Sequence, residues 1–153
     1  GHLQCVYYLL RFHADVNLAK NSGASPLFVA ARNGHHRIVK HLLKHGADPF
    51  CVQEDFRSPL HTALLYSRLR CIRLILRGNF QQLIEQKDVY DWTTMHFLAK
   101  RGSCKAARVL LHSLRQSQIA FDLYQVDRFG NTAMHIAAFN HRKKFIAYLV
   151  GQG

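Results

Sequence analysis

The chain has 153 residues, 48% of them apolar, enough for one globular domain with its own core rather than a disordered segment. Lys and Arg number 21 against 9 Asp and Glu, and the formal charge of +12 predicts attraction to something acidic: nucleic acid, an anionic membrane or an acidic protein face. The longest apolar run, Cys5 to Leu10, is far too short to span a bilayer, no signal peptide or charged tail is visible, and the four cysteines form no CxxC pair.

Four times a Ser or Thr opens the same short phrase. It reads Ser25-Pro26-Leu27-Phe28, Ser58-Pro59-Leu60-His61, Thr93-Thr94-Met95-His96 and Thr132-Ala133-Met134-His135, with openings 33, 35 and 39 positions apart. The phrase predicts a helix start. Ser or Thr serves as N-cap, and Pro suits the first helical position, where its missing N–H has no intrahelical partner.

In chain order, the stretch before the first phrase aligns with the second half of the unit that follows: Gly1-His2 with Gly34-His35, and Leu9-Leu10 with Leu42-Leu43. Counting from each opening residue, small residues stand at plus five and plus six: Ala30 and Ala31, Ala63, Ala99, then Ala137 and Ala138. They allow close helix packing. Plus nine holds Gly34, Ser67, Gly102 and His141. A second helix then carries apolar pairs at plus seventeen and eighteen: Leu42-Leu43, Ile75-Leu76, Leu110-Leu111 and Leu149-Val150. His13-Ala14-Asp15-Val16-Asn17 and His45-Gly46-Ala47-Asp48-Pro49 close the first two stretches.

In these phrases, endings and spacings the chain resembles the ankyrin repeat. The resemblance implies an all-α solenoid of stacked helix-turn-helix units joined by β-turn loops, here a half repeat over 1–20 and repeats over 21–53, 54–87, 88–126 and 127–153. It implies about nine helices and a fragment of a longer protein. Position minus two is Gly23 and Gly130 in two repeats, suiting a turn with positive φ. Phe56 and Asp91 in the middle repeats predict strained or differently shaped turns. The connection after Leu76 is longer than in the first repeat, and that after Leu111 longer still, with a protruding loop expected around Gln116 to Gln125.

Histidine and cysteine chemistry is largely absorbed by this scaffold. His61, His96 and His135 share the fourth position of the phrase, which the resemblance makes a structural hydrogen-bonding site, and one repeat separates them too widely to share a metal. His41 and His45 stand i, i+4, a spacing for adventitious zinc, although a solvated helix face explains them as well. Cys5 and Cys71 both fall at plus thirteen and are expected to be buried thiols. Cys51 and Cys104 are expected to be partly exposed, without a His or Asp partner in the neighbouring sequence. No Cys-His signature, glycine-rich phosphate loop or carboxylate pair argues for catalysis, so the chain reads as neither an enzyme nor a cofactor or metal binder.

Two surfaces carry candidate functions. On the outer side of the second helices a basic ladder combines Arg37, Arg70, Lys105 and Lys144 at plus twelve, Lys40, Arg73 and Arg108 at plus fifteen, and Arg11, Lys44 and Arg77 at plus nineteen. A solvated face usually mixes signs, whereas acids are nearly absent here. The other surface is the groove that the resemblance assigns to partner contacts, formed by turn tips and first-helix ends. There stand Arg32, Arg57, Tyr66, Tyr90, Trp92, Lys100, Arg101, Arg128, Phe129 and Phe139. These are the residue types enriched in binding hot spots, with Trp92, Tyr90, Tyr66, Phe129 and Arg57 as the expected centre.

The leading reading is a monomeric interaction scaffold that holds another protein, one with an acidic segment, in this groove. It is expected inside the cell, in a reducing compartment, cytosol or nucleus. The alternatives are nucleic acid or anionic lipid on the basic ladder, or a targeting and regulatory module of a larger signalling or effector protein. Inhibitors of the nuclear factor kappa-B system also have irregular repeats, but they tend to be acidic where this chain is basic.

Overall fold

The computed structural model of the chain describes residues 1–77, 80–116 and 122–151. Ten helices run through them: α1 (Leu3–Arg11), α2 (Pro26–Asn33), α3 (His36–Lys44), α4 (Pro59–Leu65), α5 (Leu69–Ile75), α6 (Phe80–Glu85), α7 (Thr94–Arg101), α8 (Cys104–Gln116), α9 (Ala133–Phe139) and α10 (Lys143–Val150). Extended pairing among the described residues is limited to one bridge between Val126 and Thr132. Helices α2, α4, α7 and α9 stack into one layer, and α1, α3, α5, α8 and α10 into a second. The pairs α2/α3, α4/α5, α7/α8 and α9/α10 join the layers into an all-helical solenoid. Between the layers Leu27, Leu60, Leu64, Ile72, Leu98, Leu110 and Phe145 are wholly buried in one continuous core.

Two expectations need correction. Ten helices replace nine because the longer connection after Leu76 folds into α6, which Leu83, fully buried, anchors in the core. Cys71 is buried as expected, but Cys5 is exposed. Every later second helix packs on the first helix of its own repeat, whereas α1 packs on α3 and leaves Cys5, Leu9 and Phe12 uncovered. The loop expected to protrude near Gln116 to Gln125 falls largely on residues 117–121, outside the described residues.

The helix starts obey the phrase. Ser25, Ser58, Thr93 and Thr132 are N-caps with extended backbone. In the last three a reciprocal box forms: the cap backbone N–H donates to Nδ1 of His61 at 3.3 Å, of His96 at 3.1 Å and of His135 at 3.1 Å. Ser25 accepts from the Phe28 N–H at 3.2 Å, and Phe28 has nothing to return.

The turns before the caps are the same in all four repeats, whatever their sequence. The backbone N–H of Lys20, Gln53, Asp88 and Asp127 donates to the carbonyl four residues on, and their own carbonyls accept from the N–H three residues on. That third residue has positive φ each time: Gly23 at 74°, Phe56 at 60°, Asp91 at 60° and Gly130 at 78°. The middle turns are therefore not differently shaped. They keep the shape, and Phe56 carries a strain of roughly 1–2 kcal/mol that glycine would not. Consecutive turn tips are tied by the N–H of Glu54 to Ser22, of Val89 to Asp55 and of Arg128 to Tyr90.

Plus nine follows the same rule, with φ of 78° at Gly34, 53° at Ser67, 73° at Gly102 and 56° at His141. Here the absent Cβ has a second use. Arg68 crosses Gly34 to donate from Nε to the Arg32 carbonyl at 3.0 Å, and Arg142 crosses Gly102 to reach the Lys100 carbonyl at 3.1 Å. A Cβ at Gly34 would lie 2.8 Å from Arg68 Cδ. Where plus nine is Ser67 instead, the residue at the arginine's register position is Ser103.

Gly46 has φ of 84° with nothing near its missing Cβ, so it separates backbone strain from collision. Gly46→Ala should destabilise by about 1 kcal/mol and Gly34→Ala by about 2 kcal/mol or more in urea titrations. Equal losses would mean that the arginine bridge adds nothing.

Candidate binding surfaces

The turn tips present side chains because buried aspartates organise them. Asp88 Oδ1 accepts the N–H of Tyr90 at 2.9 Å and of Trp92 at 3.0 Å. Asp127 Oδ1 accepts the N–H of Phe129 and of Asn131, both at 2.9 Å. Burial pushes the Asp127 carboxyl up, but hydrogen bonds from the backbone of Asn131 and Phe129 and from the Asn131 and Trp92 side chains outweigh it and hold the carboxyl below its usual value. Each aspartate so turns the residue two positions on out to solvent.

The outcome is a stacked pair. The Tyr90 and Phe129 rings lie 6.5 Å apart at 30°, and the Arg128 guanidinium sits 5.7 Å from the Tyr90 centroid. Tyr90 is 44% exposed and Phe129 71%. Beside the turns, Lys100 Nζ stands 5.1 Å above the Trp92 ring. Nearer the helix ends, Arg32 and Arg68 both lie over the Tyr66 ring, at 5.7 and 6.0 Å. Phe139 is 84% exposed, and Arg101 is exposed at the end of α7.

Trp92 has a structural use that its place at a turn tip did not suggest. It is half-buried, its ring packs on His96 and Phe97, and its indole N–H donates to Asp127 Oδ2 of the next repeat at 3.1 Å. Arg57 likewise brings its own acids. Its Nε lies 3.1 Å from Asp55 and 3.7 Å from the buried Asp88, and its guanidinium covers the Phe97 ring. A partner's carboxylate would compete there with a pair already made.

Sequence reasoning passed over Phe56 and Arg68. Phe56 is 56% exposed at a strained φ, and the only sequence signal was a large apolar residue where the turn wants glycine. Arg68 became visible only through its partners one repeat earlier.

All the ladder residues, from Arg11 through Arg37, Lys40, Lys44, Arg70, Arg73, Arg77, Lys105 and Arg108 to Lys144, are exposed on the second-helix layer. None is ion-paired among the described residues. The ladder is interrupted by a cleft of ≈720 Å³ between α5 and α8, lined by Arg73, Arg77, Lys105 and Arg108 over Leu69, Leu76 and Val109.

The buried histidines serve the scaffold. His61 is wholly buried, stacked at 4.7 Å on Phe97, with Nε2 facing the Gln86 backbone outside good hydrogen-bond geometry. Its Nδ1 accepts the cap N–H, so the ring is neutral, and burial depresses its pKa to about 4. Burial also lowers the pKa of His96, partly offset by the Asn131 carbonyl, to which Nε2 donates at 2.9 Å. His45 Nδ1 engages the His41 carbonyl at 2.9 Å, and the two rings lie 4.4 Å apart. Among the described residues no three His, Cys, Asp or Glu side chains gather as metal ligands. Cys51 and Cys104 are half-exposed, and Cys51 has a partner that local sequence did not reveal, Asp48 Oδ2 at 3.3 Å.

Stacked helix pairs, three of their four first helices capped by a Ser-His or Thr-His box and all linked by turns of one shape, define a repeat solenoid of the interaction class. The chain belongs to the ankyrin-repeat family: the family model for ankyrin repeats (three copies) matches residues 1–88 and 78–153. It is 32% identical over 119 residues to human transient receptor potential cation channel subfamily A member 1, covering 77% of this chain and 10% of that protein. It is 28% identical over 140 residues to dog (Canis lupus familiaris) inversin, covering 92% of this chain and 12% of inversin. A tyrosine-protein kinase of Hydra vulgaris, HTK16, shares 28% over 97 residues, which is 63% of this chain and 13% of the kinase. The chain thus spans only a small part of these relatives. Ankyrin repeats are a non-catalytic fold that binds other proteins. Among the described residues no helix is long and apolar enough to cross a membrane.

The buried histidines make stability depend on pH. An unfolded His61 titrates near 6.5 and the folded one near 4, so between these values the unfolded chain binds more protons. The stabilisation is complete above about pH 6.5 and is lost as pH falls toward 4, by as much as about 3 kcal/mol from His61, with His96 acting in the same direction. Urea midpoints should therefore fall between pH about 7 and about 5, and less steeply in His61→Asn. A midpoint independent of pH over that range would contradict the buried neutral ring.

Proposed function

We propose that this chain is a non-enzymatic scaffold that binds another protein through its turn tips and first-helix ends. The observation that carries this is the exposed Tyr90–Phe129 stack with Arg128 against it, held out on turns that Asp88 and Asp127 brace through backbone N–H groups. Preformed aromatic anchors bind with little ordering cost. Phe56 belongs to the same surface, because more than half of this phenylalanine is exposed at a turn position whose positive φ suits glycine better. The nearby cations Arg32, Arg68, Lys100, Arg101 and Arg128 favour a partner segment carrying Asp or Glu beside an apolar residue.

The scaffold acts as a monomer in a reducing compartment, cytosol or nucleus, where its free cysteines stay thiols. Its similarity to segments of a cation channel and a tyrosine-protein kinase supports a targeting or regulatory role within a larger protein.

Peptides selected on the immobilised chain from a random display library should carry that acidic-apolar pattern. Tyr90→Ala combined with Phe129→Ala should weaken them at least about 30-fold, equivalent to about 2 kcal/mol. Arg73→Gln with Arg108→Gln on the other layer should leave them unchanged. Selected peptides indifferent to the aromatic changes would overturn the assignment.

Phe56→Gly provides a separate check. It should raise stability by about 1 kcal/mol through relief of strain and weaken the same peptides. Greater stability with undiminished binding would remove Phe56 from the surface.

A further inference from the structure

The geometry points to a second site, independent of the turn tips: we infer that the cleft between α5 and α8 binds clustered phosphate groups. Arg73 and Arg77 line it from α5 and the turn that follows, and Lys105 and Arg108 from α8, so two adjacent repeats direct four formal positive charges at one cleft of ≈720 Å³. Among the described residues no carboxylate lines the cleft and none of the four cations has an ion pair. Lys105 and Arg108 stand i, i+3 within α8, a spacing at which like charges repel. Folding has gathered these charges without neutralising them, and a bound anion would remove the repulsion.

The charge count sets the ligand class. One phosphomonoester carries about −1.5 to −2 near pH 7, so two or three of them match four cations, while a lone phosphate leaves at least about half of the charge unbalanced. Three of the four cations are guanidinium groups, whose forks grip phosphate oxygens bidentately. The floor is aliphatic, formed by the buried Leu76 with the half-buried Leu69 and Val109. It suits the C–H face of a small polyol ring, and His112 is the one aromatic ring among the described residues that line the cleft, where a nucleobase chain would want several. A neighbouring cleft of ≈340 Å³ shares Arg108 and His112 and extends the basic wall toward Tyr148 of α10. The ligand is therefore a small ring bearing at least two neighbouring phosphomonoesters, either free in solution or as the headgroup of a lipid.

Titration calorimetry with myo-inositol hexakisphosphate at about 0.15 M salt, and flotation with phosphatidylcholine vesicles containing phosphatidylinositol 4,5-bisphosphate, separate the two sources. Arg73→Gln with Arg108→Gln should weaken binding at least ten-fold in whichever arm shows it. Arg77→Gln with Lys105→Gln repeats the test from the other residues of the cleft. Arg37→Gln with Lys40→Gln removes the same charge elsewhere on the same layer and should change affinity less than about three-fold. These side chains are exposed, and matching thermal melts will confirm that the variants fold. Binding in the first arm that depends on the cleft assigns a soluble ligand, and binding only in the second assigns a lipid headgroup. No binding in either arm, equal loss in cleft and control variants, or equal competition by an oligothymidine would each overturn the proposal.

Discussion

Everything in this solenoid depends on where each first helix begins, and in three of the four repeats one interaction marks that point: the hydrogen bond from a cap backbone N–H to a histidine Nδ1 three residues later. It uses a donor the helix cannot satisfy, and at the buried His61 and His96 it holds the ring in its neutral form. In the third repeat the same ring continues outward, with His96 Nε2 donating to the Asn131 carbonyl one repeat on. A cap that is also a link between repeats turns a local signal into a stacking register. Its price is acid sensitivity, because a second ring proton would displace the N–H it accepts.

From that register two backbone constraints propagate. The residue two before each cap and the residue nine after it are left-handed in every repeat, whether glycine occupies them or not. Fold geometry therefore overrides local preference, and the strain gathers at the non-glycine positions. Phe56, Asp91, Ser67 and His141 are a map of where this sequence gives up stability. For Ser67 the loss accompanies a small residue, Ser103, at the register position where other repeats place Arg68 or Arg142. Phe56 is exposed and has no such compensation in the fold, which is why its strain is read as functional.

What could be read from the sequence was what repeats within one unit. The phrase gave the cap, the cap gave the helix, and the helical period placed Arg37, Arg70 and Lys105 outside and Leu42, Ile75 and Leu110 inside, where they stand. What stayed hidden depends on a neighbour some thirty or more positions away. The bond from Trp92 to Asp127, the pairing of Arg57 with Asp88 and the crossing of Gly34 by Arg68 all join adjacent repeats. Cys5 shares the register of the buried Cys71 but not its covering helix. Helix α6 arose from added length together with an apolar residue, Leu83, that found room in the core.

The same cross-repeat contacts explain why the two surfaces differ in kind, although both are basic. At the turn tips the cations are engaged: Arg57 with two aspartates, Arg32 and Arg68 over Tyr66, Arg128 over Tyr90 and Lys100 over Trp92. Charge there stiffens rings, and the free energy of recognition comes from aromatic area already held in place. On the second-helix layer the ladder cations have no ion pair among the described residues, although Arg70 meets the His36 ring at 3.4 Å, so their field reaches solvent diminished mainly by salt. A ligand gains most by neutralising charge where neither a ring nor a carboxylate already engages it. The excess of basic residues in this chain therefore points to the second helices, although the aromatic residues alone would direct attention to the turns.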